Sequence, residues 1–282
     1  MIKTIKLFIK THPVLTYCIL TFAISWGVIL ILVGPGGVPV TKDFLERGQA
    51  MLLGPSVACI LLIGLASGRA GLREIVSRLL RWRVSPYWYA VAILTAPLLA
   101  TAVLLALSLF SHELLPGIFT SADKASLLVI SVVVGLMVGF FEELGWTAFA
   151  VPRLRLRYGV LTTGLILGVI WGTWHFLMFW ENDSFSGALP LALLLGRLFS
   201  WRPAYRVLMV WVYDRTGSLL IAILMHLSLI VSMVIVDPPL TGRNLLTPML
   251  VRAAILWVVV AVVAIAQRRT VRRQHNSVYC CC

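Results

Sequence analysis

The chain has 282 residues, of which 60% are hydrophobic and 12% charged, and its formal net charge is +13. That composition excludes an ordinary soluble domain and a disordered chain, and it reads as a polytopic membrane protein. The positive charge does not argue for nucleic acid as a partner. The basic residues occupy short connections between apolar stretches of about 20 residues, where no presented surface gathers them.

Eight apolar segments follow one another, roughly residues 13–33, 50–67, 86–110, 126–150, 161–180, 189–213, 218–236 and 246–266. The first follows Lys3, Lys6 and Lys10. It reads as a retained helix because its apolar run is long for a signal peptide and no small-residue cleavage site comes after it. Residues 69–83 predict a basic amphipathic helix on the cytoplasmic leaflet, with Leu72, Ile75, Val76, Leu79 and Leu80 opposite Arg73, Arg78 and Arg81. The sixth segment contains Pro190, Arg197, Arg202, Pro203 and Arg206, which predicts a broken helix or one whose middle lines an aqueous cavity. Lysine and arginine crowd alternate connections, so the positive-inside rule puts both termini in the cytoplasm and the chain in the cell membrane. Cys18 and Cys59 lie within apolar runs and Cys280, Cys281 and Cys282 stand together at the end, so no disulfide framework is apparent.

The expected fold class is therefore all-α, a bundle of about eight transmembrane helices with an intramembrane cavity. With no internal repeat and no low-complexity linker, residues 1–282 read as one transmembrane domain whose chemistry-bearing core spans about 126–236.

That chemistry centres on four residues. The doublet Glu142-Glu143 ends the fourth apolar run, and His175 and His226 each sit in a later one. An ionised carboxylate in hydrocarbon is costly, so an intramembrane acid marks function by default. A helix turns about 100° per residue, so the two glutamates cannot both face one cavity, and one of them must be held elsewhere. Trp171 and His175, four apart, share a helical face. Counted from the basic connections, Glu142 and His226 both lie about 16 Å deep, and His175 about 6 Å deeper. A carboxylate beside two imidazoles suits hydrolysis: Glu142 takes a proton from water, and the imidazoles orient that water, donate to the oxyanion or protonate the leaving amine. Two histidines and a glutamate equally suit zinc with one position left for water, so the spacing leaves metal-free and metal-assisted reactions both open. A single buried histidine is often only an interhelical hydrogen-bonding residue, and a single glutamate serves equally well in the proton relay of a transporter. It is the four together that favour a hydrolytic site over those readings.

At these residues the chain resembles the CPBP family of intramembrane proteases, of the CAAX prenyl endopeptidase (Rce1-like) and bacteriocin-immunity (Abi-like) kinds. The family's E-E-x-x-x-R motif is similar to Glu142-Glu143-Leu144-Gly145-Trp146-Thr147, F-x-x-x-H to Trp171-Gly172-Thr173-Trp174-His175, and H-x-x-x-N to His226-Leu227-Ser228-Leu229-Ile230. The resemblance implies an intramembrane endopeptidase acting on a membrane-associated protein or peptide, prenylated or CAAX-like. It implies that Glu142 activates water, that His175 and His226 complete the site, and that Glu143 supports it. Two positions depart from the pattern: Thr147 stands where the motif has arginine and Ile230 where it has asparagine. Glu143 is then left to be protonated or to pair with Arg197 or Arg206, and a non-catalytic immunity or scaffold protein of the same fold becomes the alternative.

Overall fold

The computed structural model describes the backbone of residues 8–9, 11–33 and 40–279, and the side chains of 8–9, 11–32 and 51–267. Lys3, Lys6, Lys10 and the three cysteines at 280–282 lie outside the described residues. Ten helices of eight or more residues make up the architecture, with no strand among the described residues. They are α1 (Pro13–Val33), α2 (Val40–Ala66), α3 (Gly68–Leu79), α4 (Pro86–Ser108), α5 (Lys124–Gly145), α6 (Val160–Trp174), α7 (Ala188–Leu195), α8 (Arg202–Thr216), α9 (Leu219–Ile235) and α10 (Gly242–Tyr279).

Four stretches are long and apolar enough to cross a membrane: Pro13–Leu32, Pro86–Ser108, Lys124–Arg155 and Gly242–Gln267. Their outer faces carry bare hydrocarbon, as at Val129, Val133, Val258 and Val262, which suits lipid and not water. The chain is thus a polytopic helical membrane protein. Three further apolar helices, Met51–Ala66, Val160–Trp174 and Leu219–Ile235, are shorter. At about 1.5 Å per residue a helix of 15 residues covers only about 22 Å of a hydrocarbon layer about 30 Å thick.

The expected segments and the observed helices differ where backbone polarity matters most. The fourth segment runs on as one helix to Arg155, through a wide π-helical turn at Trp146–Ala150. The fifth stops at Trp174, not at 180, with His175 closing it and a separate turn at Phe176–Phe179. The sixth is broken, as its prolines and arginines predict, into α7, a π-helical turn at Gly196–Ser200, and α8. The amphipathic helix is α3, whose Ile75 is buried while Leu72, Val76 and Leu80 stay exposed. Arg78 does not stay on the opposite face; it reaches the carbonyl of Ala148 at 3.3 Å.

Helix α5 shows how the sequence turns its acids inward. Asp123 caps it by accepting from the backbone N–H of Ser126 at 3.1 Å. Ser131, Gly135 and Gly139 then follow at a spacing of four and are buried, so the stripe they form carries directly into Glu142 and Glu143. Backbones touch along it: a Cβ at Gly139 would stand 2.8 Å from the carbonyl oxygen of Ile223, and one at Gly135 3.0 Å from that of Leu227. Small residues permit this approach, and it draws the His226 turn of α9 against the doublet. Between α6 and α8 the same device recurs, since a Cβ at Gly164 or Gly168 would lie 2.4 Å from the Cα of Val207 or Pro203. Helix α8 ends at Gly217, whose φ of 58° is left-handed, before α9 turns back along the core.

Candidate active site

The four residues singled out in the sequence come together at the centre of the bundle, all buried: Glu142 and Glu143 from α5, His175 from the end of α6, His226 from α9. The 6 Å depth difference anticipated for His175 does not keep it from the site: its ring centre lies 5.2 Å from that of Trp171, whose Nε1 bonds Glu142.

Glu143 faces the packed interior. Its carboxylate accepts four hydrogen bonds: from Arg206 Nη1 at 2.8 Å and Nη2 at 3.1 Å, from His226 Nδ1 at 2.7 Å, and from the Thr147 hydroxyl. Arg206 is wholly buried and its guanidinium lies 4.5 Å from the centre of the Trp171 ring. Of the two arginines the sequence offers as partners, Arg206 takes the acid, while Arg197 pairs with Glu181 at 3.1 Å. Thr147, which the motif comparison reads only as a lost arginine, stands one turn from Glu143 and supplies a hydroxyl donor to it. A buried charge pair needs its remaining lone pairs filled if attraction is to offset desolvation, and these donors fill them.

Glu142 faces the other way, onto a cavity of about 420 Å³ that it lines together with Trp171, His175, Trp201, Arg202 and His226. Its carboxylate accepts one hydrogen bond, from Trp171 Nε1 at 2.7 Å. Trp171 also stands edge-on to both imidazoles, at ring-centre distances of 5.2 Å for His175 and 5.6 Å for His226. The tryptophan is therefore the shared neighbour of the acid and both bases.

Each imidazole is oriented by what lies behind it. His175 Nδ1 is 2.7 Å from the backbone oxygen of Trp171, and since a carbonyl only accepts, Nδ1 carries the proton and Nε2 is left over. His226 Nδ1 donates in the same way to Glu143, leaving its own Nε2. The carbonyl of Trp171, one turn back, accepts from the His175 backbone N–H at 3.3 Å as well as from its ring. The neighbouring carbonyl of Trp174 is taken up by Trp26 Nε1 of α1 at 2.9 Å.

Met137 of α5 and Met233 and Val234 of α9 line the cavity and are also 43%, 37% and 39% exposed on the outside, so the mouth lies between those two helices and is apolar. Ile230 forms part of the same wall. Among the described residues, no three His, Cys, Asp or Glu side chains stand close enough to share one metal ion. The described residues do not make a ready zinc site.

Two comparisons with known proteins bear on this region. Residues 124–231 match the family model described as type II CAAX prenyl endopeptidase, Rce1-like. A stretch of 51 residues is 35% identical to a protein of Methanococcus maripaludis described as CAAX prenyl protease 2, covering 18% of this chain and 19% of the length of that relative. The matched family segment contains Glu142, Glu143, His175 and His226, and Arg202 and Arg206 of α8. Residues 124–231, which build most of the cavity, are thus similar to the Rce1-like type II CAAX prenyl endopeptidases, in keeping with the CPBP resemblance carried by the three motifs.

Proposed function

We propose that the protein is an intramembrane endopeptidase that hydrolyses a peptide bond in a membrane-associated, CAAX-like prenylated protein or peptide, with water activated by Glu142. The observation that carries this reading is the asymmetry of the doublet: Glu142 is held by a single indole N–H on an open cavity, next to two imidazoles whose Nε2 atoms are uncommitted. Glu142 takes the proton of a water placed between it and an imidazole, and the hydroxide attacks the carbonyl carbon of the scissile bond. The two histidines then differ in task. His226, oriented by the carboxylate behind its Nδ1, donates from Nε2 in its protonated form to the oxyanion and the leaving amine. His175 has only a neutral carbonyl there, so it orients water. Trp171 fixes the carboxylate, and the apolar mouth between α5 and α9 admits a substrate from the bilayer. The chain would sit in the cell membrane with both termini cytoplasmic, as its loop charges indicate.

Turnover of a prenylated CAAX-type peptide by the purified protein in detergent is the test, with Glu142→Gln as the control. Cleavage by the wild type that persists in this variant would overturn the assignment of the base. The reaction is proposed to need no metal; loss of activity on chelation, with recovery on adding zinc, would overturn that part alone. A second reading, a non-catalytic binder of membrane peptides, draws on Ile230, which puts an apolar side chain on the cavity wall where the family pattern has an amide. Tight peptide binding without cleavage under any of these conditions would favour it.

A further inference from the structure

Four residues before Arg206, and on the same face of α8, Arg202 meets a very different environment. It is 3% exposed, yet its Nε and Nη1 find no hydrogen-bond acceptor. Three rings hold the guanidinium, with centres at 4.6 Å for Trp201, 4.8 Å for Phe179 and 5.6 Å for Trp171. Rings steady a cation but satisfy none of these N–H groups in their plane. The side chain lines the 420 Å³ cavity and also an adjoining one of about 170 Å³. Every other described charged group on those walls has a partner: Glu142 has Trp171, Arg197 has Glu181, and Asp237 and Arg252 pair at 2.6 Å. A buried guanidinium left in this state lacks an anion.

From this geometry we infer that Arg202 is the residue that receives the free C-terminal carboxylate of the peptide substrate. The inference rests on the proteolytic reading above. A guanidinium fork matches a carboxylate in shape and charge. Only one cation is uncommitted here, which suits a single negative charge on an otherwise apolar ligand. Arg202 also packs on the same Trp171 ring whose Nε1 holds Glu142, so one indole separates the anion site from the base. A peptide anchored at Arg202 by its end therefore presents a bond only a few residues from its terminus. An amidated end or an internal stretch would leave the arginine buried and unpaired, which disfavours binding.

The test compares two prenylated peptides of one sequence, one ending in a carboxylate and one in an amide. The wild type should cleave the acid with a kcat/KM about tenfold or more above that of the amide. In Arg202→Gln that ratio should fall to about one, and in Arg202→Lys it should remain partly intact. Thermal shift with the short released peptide, as acid and as amide, reads the same site without turnover: the acid should raise the melting temperature of the wild type and not of Arg202→Gln. No discrimination by the wild type in either assay, or a ratio unchanged in Arg202→Gln, would overturn the inference. So would stabilisation of the wild type alone by phosphatidylglycerol vesicles with no response to the acid peptide, which would make the occupant a lipid phosphate. If neither peptide is cut but the acid still binds through Arg202, the proteolytic reading fails and the chain-end site stands.

Discussion

Glu142 and Glu143 are adjacent in the chain, as Arg202 and Arg206 are adjacent on one helix face, but the members of each pair belong to different regions. Glu143 and Arg206 lie in the packed interior, where the carboxylate takes a two-pronged ion pair, an imidazole and a hydroxyl, and Arg206 keeps its Nε alone without an acceptor. Glu142 and Arg202 line the cavity, the first with one donor and the second with no acceptor. Chemically identical groups thus divide by pairing. Charges paired with one another hold the helices in register, and those without an ion-pair partner are left for a substrate to complete.

The contrast predicts opposite phenotypes for neighbouring substitutions. Removing the base with Glu142→Gln should lower peptide turnover by about 10² to 10⁴ while the melting temperature barely moves, since the amide oxygen still accepts from Trp171. An equal loss of stability and activity would erase the distinction between the two regions. Arg206→Ala should act through stability, costing about 3–5 kcal/mol in unfolding measurements because Glu143 is left buried without its main partner. Adding Thr147→Arg in that background should recover part of the loss, since residue 147 stands one turn from the acid, and a double-mutant cycle that shows strict additivity would deny the coupling.

The helix contacts beneath the site sharpen the comparison at smaller cost. Gly168→Ala pushes a methyl into the backbone of Pro203, 2.4 Å away, and should destabilise by about 1–3 kcal/mol in thermal melts, with part of the activity lost as α8 shifts. Thr147→Val keeps the shape and removes one of four donors to Glu143. Its expected cost is about 1 kcal/mol in the same melts, with turnover nearly unchanged. A large loss of turnover in this last variant would place Thr147 in the chemistry and not in the frame.

Hydropathy alone locates the long helices. Pro13–Val33 begins and ends where the first apolar run does, and Pro86–Ser108 differs from its run by two residues at one end, because both are set by segment length against a slab of lipid. The break in the sixth segment is likewise legible, since Pro203 and three arginines cannot sit in a continuous lipid-facing helix. The termini of the shorter helices are not. Where the fifth ends, at 174 and not at 180, the carbonyl of Trp174 is taken up by Trp26, and Trp26 comes from a distant part of the chain.

The same division runs through the site. Residue type and spacing mark Glu142, Glu143, His175 and His226, and helical rotation alone requires the two acids to part company. Which acid meets the cavity, which arginine meets the acid, and that Thr147 is a donor where the motif has an arginine were decided by tertiary packing. The glycine stripes of α5 and α6 bring α9 and α8 into backbone contact, and that contact, not any local preference, sets which side chains reach one another. Periodicity is a property of one helix, and it says which residues share a face. Partnership is a property of two, and it waits until their separation and register are fixed.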